Sequence, residues 1–482
     1  MDRDAQHRPG APRPAGLRRH RRLRFCSRMR QWWHAGGPGI NIIGIQNTLG
    51  LESDRPCILN RGPAMIGQAA PDRSMPSEFP GVPPRTARLV LCTPDGRVRG
   101  ILPPVAAATP WWQEVELVVR AVRDRFGIDA TILRLLETEL GRPHGGEVTY
   151  LAETADPAPV EPWGGTLDEQ PLRLPYARPG GPAADLAWAR QVLEGQGLRP
   201  SGAPEQIRSW NLSSLWRIPV EGQVAWLKVV PPFFAHEGRL LERLAGGPVP
   251  RLLGQAEGRV LLAEIPGEDL YEAGPARLLD MAALLAGLQR PWHGRAEDLL
   301  ALGLPDWRAP ALEAAVAAVV ERTADQLAAA DRAVLSGFLS GLPRRFADIA
   351  ACGLDDTLVH GDFHPGNCRG EGSAITLLDW GDSGVGHPLL DQPAFLSRIP
   401  DEAVGPVRAH WHECWREAVP GADPDRAAAL LAPVAAARQA VIYQGFLDRI
   451  EPAERVYHRT DPADWLGRTA AILREEGERP SV

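Results

Sequence analysis

Residues 359–367 read VHGDFHPGN, and a further aspartate, Asp379, follows twelve residues after Asn367 inside the run LLDWGD. Four positions of the first run form the pattern H-G-D-x-x-x-x-N: His360, Gly361, Asp362 and Asn367. With ~20 equal choices per position, four fixed residues recur by chance in about 3 of 1000 chains of this length. The spacing places a carboxylate and an amide on one loop, and a second carboxylate at the end of the apolar strand predicted over 375–378. Phosphoryl transfer needs that division of labour. One carboxylate accepts or orients the hydroxyl to be phosphorylated, while other oxygens hold the Mg²⁺ that bridges the phosphates. Asp362 suits the first task, and Asn367 and Asp379 suit the second. A His- and Asp-rich turn held by capping bonds would explain the loop but not the aspartate that follows it.

Of the 53 basic side chains, 52 are arginine and one is lysine, Lys228. It lies in VAWLKVV, an apolar strand, where a charge requires a partner. Lysine is a compact point charge and arginine a wide fork, so a single retained lysine suggests a task the fork cannot do. A strand lysine that holds phosphates pairs with a helix glutamate. Glu237, in the predicted helix EGRLLERLAG nine residues on, is the natural partner. Upstream, residues 210–217 (WNLSSLWR) predict a turn over the phosphates, with the Ser213 and Ser214 hydroxyls and backbone N–H groups as anion ligands. Downstream, LLAEIPG ends a strand at a Pro-Gly break. That break suits a hinge where backbone groups around Glu264 and Ile265 read an adenine edge.

Charge narrows the partners. Residues 1–30 carry ten arginines against Asp2 and Asp4, a net of +8, so a whole-chain charge of −7 leaves −15 on the remainder. An acidic body argues against nucleic acid and mildly favours cationic small molecules. No stretch approaches 18 consecutive apolar residues, which argues against a membrane span. The six cysteines include no C-x-x-C pair, which fits a reducing, cytoplasmic setting. Residues 1–74 lack hydrophobic periodicity and are expected to be disordered or an over-extended translation start, with Met75 as the beginning.

Residues 75–152 predict a small α/β domain. Its strands are expected at 88–93, 98–103, 130–136 and 147–151, with a helix over 111–126 ended by Gly127. Within it, RAVRDRFGI resembles the tail of a Nudix box through Arg120, Asp124, Gly127 and Ile128. Ala121 and Arg125 stand where the box has metal-binding glutamates, so this unit is not expected to hydrolyse diphosphates. Residues 153–205 are rich in Pro and Gly and predict a linker, with a helix at 186–198. Further on, helices are expected over 312–330 and 332–342, the second stopped by Pro343.

Residues 206–470 resemble the aminoglycoside phosphotransferase and choline-kinase-like superfamily. The order is lysine strand, glutamate helix, Pro-Gly hinge, HGDFHPGN, LLDWGD, then GHPLLDQ. The resemblance implies an α+β fold, a bilobal protein-kinase-like arrangement with a small β-rich N-lobe (206–265) and a helical C-lobe (266–482). It also implies transfer of a phosphoryl group from ATP, or GTP, to a hydroxyl of an aminoglycoside-like molecule or other amino alcohol. By position Asp362 is then the catalytic base, His360 orders the loop, Asn367 and Asp379 hold Mg²⁺, and Lys228 and Glu237 form the phosphate clamp. Asp391 matches the acid that buttresses the loop. Departures are His387 in place of an acid, DQP in place of D-L-A, and no glycine-rich phosphate turn. Monomer and dimer both remain open. The contrasting function is a nucleotide-binding regulatory or scaffold protein with little transfer, and a hydrolase built on residues 85–152 is the third reading.

The segment 441–482 holds eight acids against six arginines. A polycationic substrate would call for a denser acidic cluster, so a solvated helical face is the simpler expectation.

Overall fold

The computed structural model describes residues 82–478. The expectation for residues 1–74 lies outside the described residues, as do Cys26 and Cys57. The remaining four cysteines are buried thiols.

The N-terminal unit runs β1 (Arg85–Cys92), β2 (Val98–Ile101), β3 (Val105–Ala107), α1 (Glu116–Phe126), β4 (Thr131–Thr138) and β5 (Gly146–Glu153). Its sheet has the order β2-β1-β5-β4, with β3 also on β1, and only β1 and β5 run parallel. Alternation along β1 serves two faces. Leu89 and Leu91 join Val118 and Val122 of α1 in one core, and Val90 and Cys92 face Leu133 and Leu151 on the other side. Trp163 and Leu167, from the segment read as a linker, cover that second face. Helix α1 starts five residues later than the spacing suggests, because residues 113–115 have another use. The Val115 N–H donates to Ile207 O at 3.1 Å and the Ser209 N–H to Gln113 O at 3.1 Å. The first strand of the next sheet thereby gains a covered edge, which an exposed edge strand otherwise lacks.

That sheet is antiparallel, in the order β6-β7-β8-β10-β9, from β6 (Glu205–Trp210), β7 (Ser213–Val220), β8 (Gln223–Val229), β9 (Leu252–Ala256) and β10 (Arg259–Ala263). Helix α2 (Gly181–Gly195) sets Ala189 and Leu193 against Trp216, Ile218, Leu227 and Leu261 on one face. Helix α3 (His236–Arg243) sets Leu240 and Leu241 on the other, with Leu215, Trp226 and Val260. Alternate residues of each strand therefore go to opposite cores.

The rest is helical: α4 (Pro275–Gln289), α5 (Ala296–Leu300), α6 (Ala309–Arg322), α7 (Ala329–Ala350), α8 (Gln392–Leu396), α9 (Asp401–Ala418), α10 (Pro424–Arg449) and α11 (Asp461–Gly477). Short strands punctuate it: β11 (Glu268–Asp269) beside the hairpin β13 (Cys368–Glu371) and β14 (Ala374–Leu377), and β12 (Thr357–Val359) beside β15 (Gly384–Gly386). A strand-rich lobe and a helical lobe are thus present in the expected order. Pro343 does not stop its helix; α7 continues to Ala350. Leu335, Phe338 and Leu342 before it and Ile349 beyond it are all buried, and packing on both sides outweighs a cost of about 3 kcal/mol for an interior proline. Among the described residues no helix is long and apolar enough to cross a membrane.

The N-terminal unit touches both lobes. The Gln206 side chain of β6 donates to Ile132 O at 2.7 Å and accepts from Ile132 N–H at 2.8 Å. On the helical side, the Leu135 N–H of β4 donates to Glu454 Oε1 at 3.1 Å. Burial, then the nearby Glu451 charge, pushes the Glu454 carboxyl up to about 8. The folded chain therefore holds a proton that the unfolded chain releases near 4.5. This contribution is fully present below the ordinary glutamate range and is lost as pH rises toward 8, by about 1.4 kcal/mol per pH unit. Glu454→Gln keeps an acceptor for Leu135 and has no proton to lose. Its melting temperature should gain on the wild type progressively between pH 5 and 8. Parallel curves for the two proteins would rule the buried proton out.

Candidate active site

Lys228 is on β8, with its side chain 2% exposed, and its Nζ lies 2.7 Å from the Glu237 carboxylate on α3 and 2.7 Å from Asp379 Oδ1. Burial alone would lower the lysine's pKa. The two carboxylates outweigh it and hold the ammonium above the ordinary lysine value, firmly charged. For Glu237, burial dominates and raises the carboxyl. Asp379 sits at φ +60, and it is the single non-glycine residue with positive φ among those described. Strain of this kind costs about 1–3 kcal/mol and persists where the surroundings fix it. Its Oδ2 is buried without a hydrogen-bond partner among the described residues.

The loop that starts at His360 follows directly on β12. His360 Nε2 lies 2.8 Å from Leu378 O, which ties the loop to the residue before Asp379. Asp391 accepts the backbone N–H groups of His360 and Gly361, each at 2.8 Å. Gly361 has φ +92, and a Cβ there would meet Asp382 O at 1.9 Å, so no side chain fits. Asn367 Nδ2 donates to Asp362 O at 2.8 Å and to Asp362 Oδ2 at 3.2 Å. The amide oxygen of Asn367 is thereby left for another ligand.

Asp362 also meets Arg398 Nη1 at 3.1 Å and His364 Nε2 at 3.4 Å. Burial works to raise this carboxyl, and His364 and Arg398 outweigh it, holding it well below the usual carboxylate range. His364 itself is held low by burial and then by Arg398. Asp382 is buried, and burial, then Asp362 and Asp379, pushes its carboxyl far up, so it is neutral. His387, which replaces an acid, accepts the Leu389 N–H on Nδ1 at 3.2 Å. Burial holds its pKa down to about 3, so the neutral ring caps the turn as a carboxylate would.

The structure brings Lys228, Glu237 and Asp379 together, and joins Asp362 to Asn367 beside them. It gives other residues different uses. Ser213 and Ser214 accept the indole N–H groups of Trp210 and Trp216, at 3.1 and 3.0 Å, and both are buried. The turn between β6 and β7 is held from the helical lobe. Asn211 Nδ2 donates to Glu454 O at 3.4 Å, and its Oδ1 lies 3.3 Å from His458 Nε2. At the hinge, the Glu264 side chain accepts from Trp226 Nε1 at 2.8 Å and its N–H goes to Val224 O. Ile265 is buried. In the N-terminal unit, Asp124 is exposed and Arg120 pairs with Glu116 on the surface.

Arg398, Arg438 and the neutral Asp382 were not singled out from the sequence. Arg438, 1% exposed on α10, lies 4.4 Å over the Trp307 ring and donates to Gly361 O at 3.2 Å. A lone arginine inside VAAARQAV was the available signal.

Residues 215–430 match the family model described as the phosphotransferase enzyme family. That stretch contains every motif on which the resemblance above rests, from the lysine strand to GHPLLDQ. Among solved structures, the macrolide 2′-phosphotransferase of Brachybacterium faecium is 20% identical, over 62% of this chain and 99% of that one, with a TM-score of 0.41. A choline/ethanolamine kinase family protein from Mesorhizobium loti is 15% identical, over 62% and 95%, with a TM-score of 0.44. A spectinomycin phosphotransferase in complex with ADP and spectinomycin is 12% identical, over 60% and 98%, with a TM-score of 0.38. No curated protein matches the chain.

Proposed function

We propose that the two lobes transfer the γ-phosphate of ATP, or GTP, to a hydroxyl of a small molecule, in a reducing cytoplasmic setting. The observation that carries this reading is the buried Lys228–Glu237–Asp379 cluster, at 2.7 Å contacts, beside the loop that holds Asp362 and Asn367. Desolvation offsets much of what so deeply buried a charge cluster gains, so stability alone is a weak reason for it and a task in the chemistry is a stronger one. Asp362 is ionised and oriented by Asn367, so it can accept the hydrogen of an acceptor hydroxyl and aim its oxygen. Lys228, kept cationic by two carboxylates, presents a point charge to the phosphate chain. Mg²⁺ fits the remaining donors, which are the partnerless Asp379 Oδ2 and the Asn367 amide oxygen. Such a site, one carboxylate plus phosphate oxygens, is an ordinary one for this ion. When bound, Mg²⁺ would neutralise charge on the phosphates. His360 and Asp391 keep the loop rigid.

Mg²⁺-dependent nucleotide consumption, measured against aminoglycosides, macrolides, choline and simple amino and hydroxy alcohols, tests the assignment. Acceptor-stimulated turnover that vanishes in the Asp362→Ala variant is expected. Failure of both ATP and GTP to bind would overturn it.

A further inference from the structure

The residue before the proposed base, Gly361, has more backbone freedom than any residue with a side chain. Its φ of +92, and the Asp382 O that a Cβ would meet at 1.9 Å, require a glycine there. That freedom is removed from outside, at both ends of the residue. The N–H donates to Asp391 Oδ1 at 2.8 Å, and the C=O accepts from Arg438 Nη2 at 3.2 Å. This C=O belongs to the peptide that leads into Asp362. Arg438 comes from the middle of α10 and is 1% exposed, with its guanidinium carbon 4.4 Å from the centroid of the Trp307 ring. Trp307 is itself in fixed register with the loop. Its N–H donates to Val385 O of β15 at 2.8 Å, and Gly384 of that strand leaves room for the ring, which a Cβ would meet at 2.6 Å. Gly384 pairs with Val359, the last residue of β12 before the loop. The Nε and Nη1 of Arg438 have no hydrogen-bond partner among the described residues.

We propose that Arg438 is a positioning residue of the phosphoryl transfer: it holds the 361–362 peptide so that the Asp362 carboxylate stands where the acceptor hydroxyl arrives. The assignment rests on the phosphotransferase reading. Asp391 fixes only the amide end of Gly361. Rotation about the glycine's ψ would still swing the next peptide, and Asp362 with it. A charge-assisted bond to the carbonyl stops that rotation, and the ring under the guanidinium fixes the direction from which it comes. Misplacing a reacting group by about 1 Å costs on the order of 10²-fold in rate. Packing alone would not select this residue. A guanidinium at such depth is a costly filler between a helix and a tryptophan, and an apolar side chain would fill the space with no donors left over.

Amide hydrogen exchange on the full chain tests the clamp and needs no acceptor. In Arg438→Met, peptides covering 360–367 should exchange at least about tenfold faster than in the wild type, with β7 and β8 unchanged within about twofold. Arg438→Gln, whose amide is too short to reach the carbonyl, is read in its place if the methionine variant does not fold. Arg438→Lys, which keeps a charge and a donor, should recover most of the protection. Loop exchange within about twofold of wild type would overturn the proposal, and so would equal acceleration throughout the helical lobe, the mark of lost packing. With the acceptor that sustains turnover, Arg438→Met should lower kcat at least about tenfold and leave the KM for nucleotide within about twofold. In an Asp362→Ala background the same substitution should lower kcat no further, because no carboxylate is left to place. Additive losses would make Arg438 part of the scaffold only. Binding of a non-hydrolysable ATP analogue with Mg²⁺ is read separately. Its absence would count against the phosphotransferase reading, while the exchange data still report on the hold of Arg438 on the loop.

Discussion

Replacing Asp362 with alanine should lower kcat by about 10²–10⁴ while nucleotide affinity stays within about twofold, the usual worth of a positioned base. The separation follows from the geometry. Asp362 contacts Asn367, His364 and Arg398, and none of these is the lysine cluster. Its loss therefore removes the acceptor's hydrogen-bond partner and spares the phosphate clamp. Asp362→Asn sharpens the result: the amide keeps the shape and the Asn367 contact but cannot take a proton. Steady-state kinetics with nucleotide titration on both variants would check this. A kcat within tenfold of wild type in either would remove Asp362 from the chemistry. Arg398 loses its carboxylate in these variants, so a modest drop in melting temperature is expected alongside.

Lys228→Met should have the second large effect, and on two properties at once. Phosphate positioning is lost, with an expected fall in kcat/KM of about 10²-fold or more. Stability falls as well, because Glu237 and Asp379, both 2% exposed, are left facing each other without a cation. Breaking a buried pair in this way typically costs 3–5 kcal/mol. Lys228→Arg should rescue the charge but not the rate. A planar fork cannot place one nitrogen 2.7 Å from two carboxylates that approach a point. Denaturant melts and kinetics on both variants decide the matter. An arginine variant with wild-type efficiency would make the single lysine among 52 arginines an accident of composition.

The residues that meet around Lys228 and on the Asp362 loop could be picked out from short motifs, because they are close in sequence or lie on predictable elements. Lys228 stood out as a charge in an apolar strand and Glu237 as the nearest helix acid. The loop and Asp379 were carried by spacing alone. What could not be read depends on packing across long separations. Arg398 reaches Asp362 from the turn after α8, and Arg438 comes from the middle of a helix 76 residues past Asp362. The serines of the β6–β7 turn were read as anion ligands, and only the structure shows that each accepts an indole N–H, from Trp210 and Trp216. Pro343 misled because helix propensity is local and the burial of Ile349 beyond it is not. The segment 153–205 read as linker by composition, yet it supplies Trp163, Leu167 and all of α2 to the packing.

The grip of the N-terminal unit on both lobes has a consequence for how such a gene can be cut and recombined. Residues 113–115 sheathe the outer edge of β6, Gln206 is stitched to β4, and Leu135 reaches Glu454 on the far side of the mouth. The Asn211 turn is fastened to that same far side. The phosphotransferase-like stretch is therefore not a portable cassette. A boundary drawn at residue 206 would bare the edge of β6 and take from Gln206 and Glu454 the backbone groups they bind.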